Sequence, residues 1–178
     1  MPRYVALFDS IKAGGSRLTM AELRKAFEVE DFTSVETVVA SDNILFSHPD
    51  RPDEGLEEKL GMMMRERFGM ENPVLVRSRG SLAAAIAENP FAAQGNAQMV
   101  HTLFLDGPVD PQDFARFDAD RMGQDRIALG DRALHIDYVA GNAEGRLVSA
   151  FVERRLGRRG TVRNLRSIQR ILAKMDEN

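Results

Sequence analysis

The stretch Tyr4-Val5-Ala6-Leu7-Phe8 is an unbroken apolar run near the amino terminus, and the glycine pair Gly14-Gly15 follows it. A short apolar run bounded by turn residues is typical of a strand that is buried on both faces. Behind the glycines, Thr19 and Glu22 have the spacing of a capping box, in which each side chain satisfies a free backbone N–H at the start of a helix. The chain therefore opens with a predicted strand, glycine turn and helix.

The apolar periodicity extends this plan through the first half of the chain. It predicts strands at residues 35–39 and 44–46, a helix at about 53–68 and a strand at 73–77. The intervening residues 40–43 predict a tight hairpin turn, because Asp and Asn tolerate positive φ and bond their own backbone. The resulting order, β-α-β-β-α-β, is that of the ferredoxin-like split βαβ unit.

A similar order of elements predicts a second ferredoxin-like half. Strands are expected at 100–105, 126–129 and 133–139, and helices at 111–117 and 147–156. The fold class is therefore α+β, with two ferredoxin-like halves, antiparallel sheets and an extra carboxyl-terminal helix. The predicted boundaries are residues 1–79 for the first half, 80–97 for a connector helix and loop, 98–160 for the second half, and 161–178 for a basic amphipathic helix.

Composition excludes several classes of function. The 178 residues contain no cysteine, so disulfides, thiol nucleophiles and thiolate metal sites are ruled out. The start of the chain lacks a secretory signal, and no apolar run approaches the ~20 residues that cross a bilayer. We expect a cytoplasmic protein without a membrane partner, and nothing in the sequence indicates its oligomeric state.

The formal net charge of −3 is unevenly distributed. Residues 146–174 contain nine basic side chains and one acid, a net +8, which leaves −11 for the rest of the chain. Such a segment can bind nucleic acid, dock on the acidic part of its own chain, or form a solvated face. The residues of the predicted nucleic-acid interface are Arg154, Arg155, Arg158, Arg159, Arg163, Arg166 and Arg170.

No catalytic, metal or cofactor motif is complete. His48, His101 and His135 stand far apart, without the short spacing that holds a metal ion on one element. No Walker loop, G-x-S-x-G elbow or full G-x-G-x-x-G is present. We therefore predict no metal and no cofactor.

The glycine turn is the most promising place for a ligand. Gly14 and Gly15 allow backbone amides to converge on an anion, and Lys12 and Arg17 add positive charge. The alternative is a tight connection whose geometry demands glycine. The turn therefore supports, without requiring, a site for phosphate or carboxylate.

Several stretches together resemble the domain of unknown function 1697 family, over essentially the whole chain. The resemblance implies an α+β fold with ferredoxin-like halves, and it implies no established activity. The stretches that carry it are Tyr4-Val5-Ala6-Leu7, Ile11, Gly14-Gly15, Met20-Ala21-Glu22-Leu23, Ser41-Asp42-Asn43-Ile44-Leu45-Phe46, Asn89-Pro90-Phe91, Ala150-Phe151-Val152-Glu153, Leu156-Gly157 and Thr161-Val162-Arg163-Asn164.

The sequence departs from the family pattern at three of these places. Where the family commonly has Arg-Gly-Ile-Asn, Ser-Gly-Asn and Thr-Arg-Asn-Trp, this chain has Asp9-Ser10-Ile11-Lys12, Ser41-Asp42-Asn43 and Val162-Arg163-Asn164-Leu165. The exchange of Arg for Asp9 reverses a charge beside the glycine turn, and Lys12 partly restores it. The retained polar groups either line one cleft or cap the ends of elements, as Thr161 and Asn164 can do for the last helix.

The leading hypothesis is a binding protein for a small anionic ligand, such as a nucleotide or phosphorylated metabolite. Its cleft would lie between the glycine turn and the basic carboxyl-terminal segment. Nucleic-acid binding is the alternative, and an enzyme using Asp9, Ser41 or Asn43 is a third hypothesis. The predicted ligand-binding residues are Lys12, Gly14, Gly15, Ser41, Asn43, Arg163 and Asn164.

Overall fold

The computed structural model describes residues 1–9, 12–13, 16–49, 52–120, 125–138 and 149–177; it does not describe the side chains of residues 12, 13, 16, 17, 40, 41 and 149–151. The chain divides into two compact units. The first contains Met1–Leu82 and Arg170–Asn178, and the second contains Ala83–Gln169.

The first unit has the β-α-β-β-α-β order that the sequence predicts. Its elements are β1 (Arg3–Phe8), the two-residue strands β2 (Lys12–Ala13) and β3 (Ser16–Arg17), α1 (Met20–Val29), β4 (Thr33–Val38), β5 (Ala40–Ser47), α2 (Asp53–Phe68) and β6 (Val74–Ser78). The four long strands form one sheet in the order β4-β5-β1-β6, and every neighbouring pair is antiparallel. This is the strand order of a ferredoxin-like sheet, and β2 pairs separately with β3.

The core of the first unit lies between one face of this sheet and its two helices. The rings of Phe27, Phe32 and Phe46 meet with centroids 5.0–5.8 Å apart, in tilted and edge-on arrangements. Each fully buried ring contributes roughly 1.5–3 kcal/mol through burial. The predicted capping box is confirmed at the start of α1, where Thr19 Oγ1 accepts from the Glu22 amide and Glu22 accepts from the Thr19 amide. Burial of aromatic rings in the core and capping of α1 therefore both stabilise this unit.

The second unit repeats the topology. Its elements, with the two helices that straddle its boundaries, are α3 (Arg79–Glu88), β7 (Val100–Leu105), α4 (Pro111–Asp120), β8 (Arg126–Gly130), β9 (Ala133–Asp137), α5 (Ser149–Leu156), β10 (Gly160–Asn164) and α6 (Leu165–Met175). The strands form an antiparallel sheet in the order β10-β7-β9-β8. The predicted α+β class with two ferredoxin-like antiparallel halves is confirmed. Gly157, which follows α5, has a φ of 69°, the left-handed conformation in which many helices end.

Strand β10 is not among the elements that the sequence predicts, because residues 161–178 were expected to form only a helix. Thr161, predicted as a cap of the last helix, lies inside this strand and is paired with Phe104. Asn164 does cap α6, since its Oδ1 accepts from the Ser167 amide at 2.8 Å. A Cβ at Gly160 would overlap the Phe104 carbonyl oxygen, so the close pairing of β10 with β7 requires glycine there.

The predicted hairpin is confirmed by the antiparallel pairing of β4 with β5, but its turn does not lie at residues 40–43. The chain reverses at Val39, whose φ is 64°, and Ala40–Ser47 is one continuous strand. A β-branched residue is unfavourable at positive φ, so local propensity gave no signal for a turn there. Pairing of Asn43 with Leu7 of β1 keeps residues 40–43 in the sheet.

Helix α6 is amphipathic, as the sequence predicts. Leu165, Ile168 and Ile171 are buried, whereas Arg166 and Arg170 are exposed. Among the helices that the structure describes, none is long and apolar enough to span a membrane.

Candidate functional site

A concave region of about 680 Å³ lies in the first unit, beside the amino-terminal end of β1. The charged side chains that line it come from three different elements: Arg3 begins β1, Arg24 lies on α1, and Glu36 lies on β4. Its lining is completed by Met1, Ser34, Val35 and Ser47. Two guanidinium groups and one carboxylate therefore face a cavity large enough for a small metabolite.

A β-bulge in β4 positions the groups around Arg3. Between Thr33 and Glu36 the β4–β5 register shifts by one residue, and Ser34 within this bulge has a φ of 51°. The bulge presents the Ser34 carbonyl to Arg3 Nη1 at 2.7 Å. Ser47, opposite Arg3 in the register, accepts from the same nitrogen at 3.2 Å. The one extra residue in β4 thus orients the Ser34 carbonyl toward Arg3, the first side chain of β1.

The guanidinium of Arg3 is held on three sides. Besides its two Nη1 acceptors, Arg3 donates from Nη2 to Glu36 Oε1 at 2.7 Å. Its Nε is buried and has no hydrogen-bond partner among the residues that the structure describes. A buried donor without an acceptor costs about 1–3 kcal/mol. Arg3 is therefore a fixed cation with donor capacity to spare.

Two other basic side chains belong to the surroundings of Arg3, namely Arg24 and Lys174. Arg24 is exposed, and it makes no hydrogen bond or ion pair within the described part of the chain. The pKa of Lys174 on α6 is raised, mainly by its hydrogen bond to Glu177 and further by the charges of Glu177 and Glu36. Arg24 is thus the cation of this region that lacks an acidic partner.

The sequence did not single out Arg3, Arg24 and Glu36. Arg3 immediately precedes the apolar run at residues 4–8, which is the one local cue for a charge at the end of β1. Glu36 lies 33 residues away and reaches Arg3 through the β4 bulge. A bulge depends on how two strands pair, and no pattern within residues 33–36 predicts it.

Part of the predicted ligand site cannot be compared with this region. Gly14 and Gly15 lie outside the described residues, as do the side chains of Lys12 and Ser41. The glycine turn follows the far end of β1, and a strand rises ~3.3 Å per residue, so Arg3 and Phe8 are roughly 17 Å apart. The concave region therefore lies at the opposite end of β1 from Phe8, the residue after which the sequence leads toward Gly14 and Gly15.

The other predicted ligand-binding residues have contacts within the protein. Asn43 is 2% exposed and donates from Nδ2 to the Val38 carbonyl at 3.2 Å. Arg163 donates to Thr161 Oγ1 at 2.9 Å and to the Val162 carbonyl at 2.8 Å. With the Asn164 cap, these contacts give each residue a structural role, and their role in ligand binding stays a prediction.

The arginines of the predicted nucleic-acid interface differ in their contacts. Arg155 pairs with Asp120 at 2.9 Å, and Arg158 donates to the Pro108 carbonyl at 2.7 Å. Arg159 is exposed and has further interactions within the protein. The arginines whose side chains make no hydrogen bond or ion pair to any described residue are Arg154, Arg166 and Arg170.

A buried chain of hydrogen bonds crosses the second sheet. Thr102 Oγ1 and His135 Nδ1 are 2.8 Å apart, and His135 Nε2 lies 2.7 Å from Glu88 Oε2. Glu88 also accepts from the Asp131 amide at 3.1 Å. The hydroxyl, imidazole and carboxylate follow the order found in hydrolase triads, but Thr102 is 2% exposed. We therefore interpret this Thr102–His135–Glu88 network as structural.

Burial determines the charge state of His135. It lowers the pKa of the imidazole, and the hydrogen bond and charge of Glu88 offset only part of that effect.

Among the described residues, no three His, Asp or Glu side chains are grouped closely enough to hold a metal ion.

The sequence was compared with models of known families, and the model described as "Protein of unknown function (DUF1697)" matches residues 1–135. The chain belongs to the DUF1697 family. Three quarters of its length is covered, in agreement with the resemblance noted from the sequence. Comparison with curated protein sequences gave no significant match.

The fold of this DUF1697 protein is similar to a solved structure, that of the conserved bacterial protein SP0830 from Streptococcus pneumoniae. The TM-score is 0.70 over 98% of each chain, at 18% sequence identity. At that identity the likeness establishes the shared fold and carries no functional assignment.

Replacing Gly130 by alanine tests the Thr102–His135–Glu88 network. A Cβ at Gly130 would overlap Glu88 Oε2 and approach His135 Nε2 to 2.7 Å. Glu88 cannot move away from the new methyl group without losing its hydrogen bonds to His135 and the Asp131 amide. We therefore expect G130A to lower the free energy of unfolding by about 1–3 kcal/mol. Urea denaturation followed by circular dichroism measures the change.

Gly61 on α2 provides the matched control. No atom outside its own helix lies within 4 Å of a Cβ built there. Alanine is the better helix former, so G61A is expected to raise the free energy of unfolding by roughly 0.5–1 kcal/mol. Equal effects of the two substitutions would contradict the tight approach of Glu88 to Gly130.

His135 makes stability depend on pH. Its pKa is lowered in the folded protein and is about 6.5 in the unfolded chain. The unfolded state therefore binds more protons as the pH falls below about 6.5, and stability present above that pH is lost. We expect H135Q to flatten the fall in urea midpoint between about pH 7 and pH 5.

Some pH dependence will remain in H135Q, because burial also lowers the pKa of His101. The difference in slope between the wild type and H101Q measures the part of the pH dependence that comes from His101. An H135Q slope equal to that of the wild type would show that His135 titrates alike in the folded and unfolded states.

Proposed function

We propose that this DUF1697 protein binds a small anionic ligand, a nucleotide or phosphorylated metabolite, in the concave region of its first unit. The observation that carries the proposal is the pair of guanidinium groups there. Arg3 is fixed by three acceptors and keeps an unpaired buried Nε–H, and Arg24 lacks an acidic partner among the described residues. Guanidinium groups suit phosphate because they present several N–H donors in a fixed plane.

The size and lining of the region also support a ligand larger than a bare ion. Its volume of about 680 Å³ falls within the usual range for small-molecule sites. Met1 and Val35 add apolar surface beside the charged groups, and Ser47 adds a hydroxyl. An anionic head with an organic body fits this combination.

Replacing Arg24 by glutamine tests the proposal. We expect at least one compound in a panel of nucleotides and sugar phosphates to raise the melting temperature of the wild type, because a ligand that binds only the folded state stabilises it. Loss of one charge-assisted contact should weaken that ligand in R24Q by about tenfold. Isothermal titration calorimetry measures the affinity.

Two variants locate the site. Arg65 on α2 is exposed and has no partner among the described residues, so R65Q removes the same charge elsewhere and should leave the affinity unchanged. K12A tests the predicted turn at Gly14 and Gly15. Binding that K12A abolishes and R24Q does not affect would place the ligand at the glycine turn and contradict the location proposed here.

Nucleic-acid binding is the second candidate function. It is favoured by Arg166 and Arg170, which are exposed one turn apart on α6 and make no contact with a described residue that would neutralise them. Charges four residues apart on a helix lie on the same face. Such a face can bind phosphates without reading bases.

The double substitution R166E/R170E tests this second function. If α6 binds nucleic acid, the wild type should be retained on heparin and should shift single-stranded RNA at low salt, with affinity falling steeply as salt rises. The variant should lose both properties. R65E/R67E on α2 is the charge-matched control, and equal loss in both variants would indicate a general effect of net charge.

A further inference from the structure

The ion pair between Arg3 and Glu36 forms part of the wall of the concave region. The Arg3 side chain is 10% exposed, whereas that of Glu36 is 36% exposed. Glu36 is therefore the accessible member of the pair, and its carboxylate occupies one donor of the guanidinium that faces the cavity. A dissolved anion that binds the Nη2 donor held by Glu36 must compete with that carboxylate.

We propose that Glu36 is an internal competitor, and that the ligand binds through a phosphomonoester dianion whose oxygens replace Glu36 on Arg3. This inference rests on the proposed function. Arg24, on the same cavity wall, binds the remaining charge of the phosphate. No bond is made or broken, and the exchange is one of hydrogen bonds and ion pairs.

The donors of Arg3 define what can bind. A guanidinium has five N–H donors. Ser34, Ser47 and Glu36 use three of them, which leaves the Nε–H and one N–H of Nη2. When Glu36 swings away, both Nη2 donors are available to one anion, while Nη1 keeps its two acceptors. The guanidinium therefore stays in place during the exchange.

The charge of the region selects phosphate over carboxylate. A carboxylate ligand would offer Arg3 only what Glu36 already offers. Glu36 is tethered to the same sheet and has the advantage of a high effective concentration. A phosphomonoester carries about two negative charges at neutral pH and presents three acceptor oxygens. Only the dianion can satisfy Arg3 and Arg24 together, which offsets the loss of the internal pair.

The test uses phenyl phosphate and benzoate, which share an aromatic body and differ in the anionic group. We expect phenyl phosphate to bind the full-length wild type at least tenfold more tightly than benzoate. In E36Q the competitor loses its charge while keeping its shape, so the Kd for phenyl phosphate should fall by about tenfold. In R3K the fork of donors is lost, and the Kd should rise by at least tenfold.

A control variant and an NMR signal show whether phenyl phosphate binds at Arg3. Glu66 on α2 is exposed and without a partner among the described residues, so E66Q removes the same charge elsewhere and should change the Kd by less than twofold. The Arg3 ¹Hε–¹⁵Nε signal, assigned by its loss in R3K, should move when phenyl phosphate is added, because phosphate replaces the Glu36 carboxylate on Nη2 of the same guanidinium. Circular dichroism confirms that each variant is folded.

Three outcomes would overturn the inference. If E36Q binds phenyl phosphate no better than the wild type while R24Q binds it more weakly, the anion occupies the concave region without displacing Glu36, and the proposed function stands alone. Equal affinity for benzoate would remove the selection for phosphate. If no variant binds either compound and the Arg3 signal does not move, both the inference and the proposed function fail.

Discussion

Strand β1 is hydrogen-bonded along both edges, to β5 and to β6, and each residue from Tyr4 to Phe8 is buried. A strand in this position has no room for an ionised side chain, because an unpaired charge in an apolar environment is strongly disfavoured. The charges stand at its ends, with Arg3 before the apolar run and Asp9 after it. The charged groups that flank β1 are therefore divided between two places roughly 20 Å apart.

The amino-terminal end of β1 becomes a candidate site because of the bulge in β4, which is separated from β1 by β5 in the sheet. A regular β4 would continue the one-to-one pairing seen between β1 and β5, and its alternate carbonyls would bond to β5. The extra residue at the bulge frees the Ser34 carbonyl, which accepts from Arg3. It also sets Glu36 opposite Leu45, with its carboxylate within 2.7 Å of Arg3. A one-residue irregularity thus converts an isolated charge into an oriented guanidinium.

Most of the fold could be predicted from local patterns, and the exceptions have a common cause. Apolar runs, the Thr19 cap and the αL glycine Gly157 are signals contained within a few residues. Strand β10 is short and half polar, and it exists because it completes the pairing of β7. The reversal at Val39 opposes local preference and is imposed by the β5–β1 register. Elements that depend on distant partners carry no local signal.

The same distinction separates the residues of the candidate site from those that the sequence offered. The sequence pointed to Lys12, Gly14 and Gly15 because they are close together in the chain. It pointed to Asn43 and Asn164 because short polar side chains are common binding or capping groups at the ends of elements. The side chains of Asn43 and Asn164 bond nearby backbone groups. Arg3 and Glu36, in contrast, come together across 33 positions. Their proximity could be inferred only after the strand order and the bulge were known.

The formal charge of a segment is a poor measure of the charge it offers to a ligand. Residues 146–174 carry a net +8, yet Arg155, Arg158 and Arg163 have acceptors within the protein. Arg166 and Arg170 stand on long unrestrained side chains, and ordering them on binding costs entropy, so such a face suits weak, salt-dependent attachment to a polyanion. Arg3 is already held by three acceptors, and that cost was met when the protein folded. Preorganisation, rather than the number of basic residues, is therefore what favours the first unit for a specific small anion.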